Sequence, residues 1–104
     1  MPSFQTITPD EVRERLENGE TLFLVDVREQ EEIIRNGKIP EAVHISMGDI
    51  PNKLSHFYKN IKYIIICKTG IRSEHVCYYL YARGYSVLNM VGGMNEYKGK
   101  LQIA

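Results

Sequence analysis

Three short apolar runs constrain this 104-residue chain more than any other feature: "LFLVDV" at 22–27, "KYIIIC" at 62–67 and "SVLNMV" at 86–91. Nearly continuous apolar stretches of this length, rich in β-branched residues, read as strands covered on both faces. Helix signals lie between and around them. "TPDE" at 8–11 predicts a helix start, with Thr8 as cap, Pro9 in the first turn and Glu11 at the acidic position of a capping box. Val12 and Leu16 share one face at helical spacing, and "NG" at 18–19 ends the segment. "EQEEIIRNG" predicts a second short helix ending near Gly37. "AVHI" at 42–45 predicts a short strand, and "GDIPNKL" a turn into another helical piece. "SEHVCYYLYAR" predicts a helix running from Arg72 or Ser73 to Arg83, with Val76, Cys77 and Leu80 on its apolar face and Gly84 as its stop. Strands alternating with helices predict a parallel sheet covered on both sides, whose ligands bind outside the carboxyl ends of the strands.

The length suits one domain over 1–104, able to bury roughly 65% of its unfolded surface without staples. Neither repeats nor low-complexity tracts divide it. Thirteen basic residues balance thirteen acidic ones, so no overall field draws nucleic acid or an anionic membrane. The apolar runs are far short of the roughly 18 residues that span a bilayer. Two cysteines do not make a disulfide scaffold, and the opening "MPSFQTITPD" carries no secretory signal. A reducing cytoplasm, in which a free thiol stays a thiol, is the expected setting.

Chemistry concentrates where "YIIIC" meets "KTGIRS". A strand delivers Cys67 to the sheet edge, a short loop turns, and a helix begins near residue 72. Free amides of the loop and of the helix start can converge on one point. Gly70 permits the positive φ that such a concave nest requires. Convergent N–H groups favour negative charge, so they lower a thiol pKa and hold a thiolate, a persulfide or an oxyanion. Lys68 and Arg72 add positive charge for an anionic donor, although Arg72 can instead brace loop carbonyls. A lone cysteine after apolar residues is more often a small core hydrophobe. The succession Lys, Thr, Gly, Arg and Ser in this loop favours the reactive reading.

Other candidates are weaker. Cys77 falls on the apolar helix face and reads as packing, the alternative being a resolving thiol for Cys67. Asp26 and Arg28 in "VDVRE" emerge at the same carboxyl edge; Asp26 reads as a brace between loops, and Arg28 as either solvent-exposed or part of the site's field. His44, His56 and His75 lack metal-ligand spacing, so no metal site is expected. The "GG" at 92–93 is too isolated for a dinucleotide loop and reads as a turn.

"LVDVRE", "NGKIPEAVHI", "YIIICKTGIRS" and "LYARGYSVLNMVGGMNEY", in this order and spacing, resemble single-domain rhodanese-like proteins, from "ITPDEV" to Tyr97. The resemblance implies a three-layer α/β/α fold around a five-stranded parallel sheet. It also implies sulfurtransferase activity through a persulfide on Cys67, with the amides of Lys68, Thr69, Gly70, Ile71 and Arg72 forming the substrate cradle; Ser73, Asp26 and Arg28 are the candidate supporting residues read from the sequence itself. The donor would be thiosulfate or a persulfide, and the acceptor cyanide or a thiol. No metal or organic cofactor is implied. The partners are then small-molecule sulfur donors and acceptors, or a protein that delivers or takes the sulfur.

Two alternatives compete: a carrier module that exchanges sulfur with a protein and turns over free thiosulfate poorly, and a cysteine-based phosphatase or arsenate reductase. The six-residue loop from Cys67 to Arg72 matches the sulfurtransferase pattern, whereas related cell-cycle phosphatases have one residue more. Five positions depart from the common pattern. Lys38 and Glu41 replace His and Gly, Tyr97 stands where Trp is frequent, and Val76–Cys77 replaces paired alanines.

Overall fold

A computed structural model of the chain describes residues 4–103. Five parallel strands form one sheet: β1 (Gln5–Ile7), β2 (Phe23–Asp26), β3 (Val43–His44), β4 (Lys62–Ile66) and β5 (Ser86–Met90). Their spatial order is β1-β5-β4-β2-β3, which puts β4, the most apolar strand, at the centre. Three α-helices connect them: α1 (Pro9–Glu17), α2 (Gln30–Asn36) and α3 (Ile71–Ala82). Segments of 3-10 helix span Met47–His56 and Gly93–Glu96. This is the three-layer α/β/α architecture with a five-stranded parallel sheet.

Side chains of β4 alternate between two cores. Tyr63, Ile65 and, just past the strand, Cys67 join Val25, Val87, Ile50 and Phe57 beneath Val76, Cys77 and Leu80 of α3. Ile64 and Ile66 face the other way, with Leu24, Met90 and Ile7 against Val12 of α1. Burial on both faces explains the continuous apolar runs. Thr8 caps α1 by accepting from the Glu11 amide at 3.1 Å. In α2, Glu29 and Glu32 form a reciprocal capping box, with the Glu29 amide donating to Glu32 Oε2 at 2.9 Å.

One element differs from the sequence pattern. Strand β1 lacked a signal because it is an edge strand in which only Ile7 is buried. The helical piece expected around "GDIPNKL" is present and is of the 3-10 type, with Pro51 removing an amide from its interior. The atypical Lys38 has a structural job: its ammonium donates to the carbonyls of Ile39, Pro40 and Ala42 at 3.2, 3.2 and 2.7 Å, holding the turn before β3. Val76 and Cys77 are buried in the core under α3.

The central strand should dominate stability. Ile65 is fully buried, so Ile65→Ala should cost about 2–5 kcal/mol in denaturant unfolding, from lost transfer energy plus a residual cavity.

Candidate active site

Strand β4 ends at Ile66, and the next residue, Cys67, stands over the carboxyl edge of the central strand. The loop then turns through Gly70, at φ 97° in the left-handed region, directly into α3. That turn folds the chain back over the cysteine sulfur. Sγ accepts from the Gly70 amide at 3.1 Å and from the Ser73 amide at 3.3 Å, and it lies 3.2 Å from Ser73 Oγ. The cradle expected from the sequence is therefore made partly by Ser73, in the first turn of α3.

The loop is held from behind by the double glycine. Gly92 and Gly93 both have positive φ, and a Cβ on Gly93 would strike the carbonyls of Lys68 and Cys67. This close approach lets the Met94 and Asn95 amides donate to the carbonyls of Cys67 and Lys68 at 2.8 and 3.0 Å. The "GG" is a turn, and it also clamps the loop.

Burial opposes charge on Cys67, but hydrogen bonds from Ser73, Gly70 and Thr69 outweigh it and hold the thiol below its ordinary pKa. Cys77 shows the reverse. Burial, followed by the charges of Glu74 and Cys67, pushes its thiol up to about 12. It is a packed core residue.

The cations take unequal roles. Arg72 hydrogen-bonds neither the sulfur nor the loop carbonyls; its two terminal guanidinium nitrogens pair with Glu32 of α2, each at 2.7 Å. Glu32 is a residue the sequence reading missed, although "EQEE" beside a site arginine is the kind of acid that could pair with it. The Arg72 bridge holds the Glu32 carboxyl well below the usual range, at about 2, despite partial burial, and the Glu29 amide assists. Asp26 and Arg28 form a closed, buried pair at 2.7 Å, and Arg28 Nη2 also donates to the Gly37 carbonyl at 2.8 Å. Asp26 thus braces the end of β2, and Arg28 is buried rather than solvent-exposed. Arg28 nevertheless lines a cleft of about 270 Å³ shared with Asn36, Lys68, Met94, Asn95 and Leu101. Lys68, Thr69 and Ile71 are exposed, while Gly70 and Ser73 are buried.

Cys67 itself has no exposed surface. This differs from an open loop thiol: the sulfur is covered, yet the surrounding amides aim at it. A second residue missed from the sequence is Asn89 of β5. It accepts from Ser73 Oγ at 2.5 Å and donates to the Gly70 carbonyl at 3.1 Å. The available signal was a lone amide in an otherwise apolar, doubly covered strand, where each polar group needs a partner.

The rhodanese-like domain model matches residues 8–100. The chain is 46% identical over 89 residues to the Bacillus subtilis protein YtwF, covering 86% of this chain and 85% of that protein. It is 38% identical over 89 residues to an Allochromatium vinosum protein named sulfurtransferase, covering 85% and 82%. Its fold superposes on a rhodanese-like domain protein from Staphylococcus aureus with TM-score 0.90 and 39% identity, covering 97% and 99% of the two chains. The chain belongs to the rhodanese-like domain family. Among the described residues, no helix is long and apolar enough to cross a membrane.

The Glu32–Arg72 bridge makes a pH prediction. A carboxyl whose folded pKa is about 2, against 4.5 as reference, contributes its stability fully above pH 4.5 and loses it as pH falls through about 2. The stability difference between the native chain and Glu32→Gln should accordingly be largest above pH 4.5 and vanish near pH 2 in acid-titrated urea melts.

Proposed function

We propose that this chain is a sulfurtransferase in which Cys67 carries the transferred sulfur as a persulfide. The observation that carries the reading is the convergence of the Gly70 and Ser73 amides on Cys67 Sγ at the end of the central strand. The Cys67 thiolate attacks the outer sulfur of a thiosulfate or persulfide donor. A new S–S bond forms, the donor's S–S bond breaks, and its electron pair leaves with sulfite or the donor thiolate. A thiophilic acceptor, cyanide or a thiol, then attacks the outer sulfur and returns Cys67 as thiolate. The two half-reactions give ping-pong kinetics. Because Sγ is covered, loading requires the Lys68–Ile71 segment to yield, and the amides of Lys68, Thr69, Gly70, Ile71 and Arg72 then surround the outer sulfur. Lys68, exposed on a cleft beside the loop, supplies the positive charge for an anionic donor.

The six-residue loop from Cys67 to Arg72, one residue shorter than in the related cell-cycle phosphatases, weighs against phosphatase chemistry. A protein-borne persulfide donor uses the same cysteine. It differs in that free thiosulfate would load Cys67 poorly.

Intact-mass measurement after incubation with thiosulfate, or with glutathione persulfide, tests the proposal. The native chain should gain one sulfur atom and Cys67→Ser none; an unchanged native mass with both donors would refute it. Loading by glutathione persulfide alone would favour the protein-partnered carrier. Cys77→Ser should retain most transfer, since that thiol is held up near 12 by burial. Lys68→Ala should raise the thiosulfate KM roughly two- to five-fold at low salt, with the effect fading as ionic strength rises.

A further inference from the structure

Ser73 Oγ sits between two acceptors and has one proton to give. Asn89 Oδ1 lies at 2.5 Å and Cys67 Sγ at 3.2 Å. The orientation of the Asn89 amide is dictated by its other end. The Gly70 carbonyl can only accept, so Nδ2 must face it at 3.1 Å, and Oδ1 is thereby turned toward Ser73. While Cys67 is a thiol, the three groups form one chain: S–H donates to Ser73 Oγ, and Ser73 O–H donates to Asn89 Oδ1. When the thiol proton leaves to solvent, an oxygen lone pair of Ser73 faces a negative sulfur. Only rotation of the Ser73 hydroxyl relieves this, and rotation strips a buried carbonyl oxygen of its short hydrogen bond.

We propose that Asn89 is a positioning residue for the nucleophile: it holds the Ser73 proton away from Cys67, and this restrains stabilisation of negative charge on Sγ itself. The restraint is selective. In a persulfide the charge resides on the outer sulfur, and the inner sulfur no longer needs the Ser73 proton, so the Ser73–Asn89 bond is kept intact. Asn89 therefore disfavours the free thiolate relative to the loaded state and keeps the thiolate reactive. The inference rests on Cys67 being the sulfur carrier.

Other groups around Cys67 do not take part in this exchange. Lys68 follows it on the exposed loop, Arg72 at the start of α3 is committed to Glu32, and Asp26 and Arg28 at the end of β2 are closed on each other. Cys77 is buried on the core face of α3, and Glu74 and His75 of that helix are exposed.

The test is a double-mutant cycle read as the midpoint of Cys67 ionisation. The midpoint is followed by the ultraviolet absorbance of the thiolate against pH, with the Cys67→Ser trace subtracted. Asn89→Leu, which keeps volume but removes the acceptor, should lower the midpoint by about one pH unit by releasing the Ser73 hydroxyl to the sulfur. In a Ser73→Ala background the same substitution should leave the midpoint in place. An unmoved midpoint in the native background, a rise, or an equal shift in both backgrounds would overturn the proposal; a rise would mean that Asn89 acts by anchoring Gly70. If Asn89→Leu does not fold, as judged by near-ultraviolet circular dichroism, Asn89→Ala takes its place. The titration does not depend on sulfur transfer. A chain that gains no sulfur but shows these shifts would refute the sulfurtransferase reading and leave the Asn89 interaction standing.

Discussion

In the proposed reaction a sulfur atom must carry negative charge in a place that water does not reach. Cys67 lies at the end of the central strand with no exposed surface, and burial of that kind normally protonates a thiol. The opposing force comes from oriented donors rather than formal cations. The Gly70 and Ser73 amides donate to Sγ at 3.1 and 3.3 Å. Everything nearby serves to hold those donors in position. Gly70 takes the left-handed conformation that folds the loop back, and Gly93 allows the Met94 and Asn95 amides to hold the loop from behind.

The two cysteines differ in thiol acidity through their environment and not their residue type. Both are fully buried in one apolar cluster below α3. Cys67 follows a strand end and precedes a helix start, where amides lack intrahelical partners and are free to point at sulfur. Cys77 lies within α3, where the amides are committed to the helical ladder. The same desolvation therefore lowers neither thiol, and only Cys67 receives compensation strong enough to reverse it.

Formal charge around the loop is largely neutralised in pairs. Arg72 is taken up by Glu32, which ties α2 to the first turn of α3. Arg28 is taken up by Asp26, which ties β2 to the end of α2 through Gly37. These bridges fix the elements that carry the site, and they leave Lys68 as the exposed cation of the loop. The field at the sulfur is thus short-ranged, as amide dipoles and hydrogen bonds are.

Much of this was legible in the chain itself. Apolar runs at 22–27, 62–67 and 86–91 pointed to three buried strands, since a strand covered on both faces is apolar at successive positions and these runs are too short for helices. The order of Cys67, Gly70, Arg72 and Ser73 after such a strand determined that amides would gather near the thiol, because each step is a local backbone property. The edge strand Gln5–Ile7 was not legible, since one buried residue carries no period. Nor were the partners Glu32 and Asn89, which lie 40 and 16 residues from the groups they hold. Those pairings, the closure of the loop over Cys67 and the destination of the Arg72 guanidinium were decided by the tertiary structure alone. Distance through space between α2, α3 and β5 exists only after the sheet has assembled, and hydrogen bonds act over that distance and not along the chain.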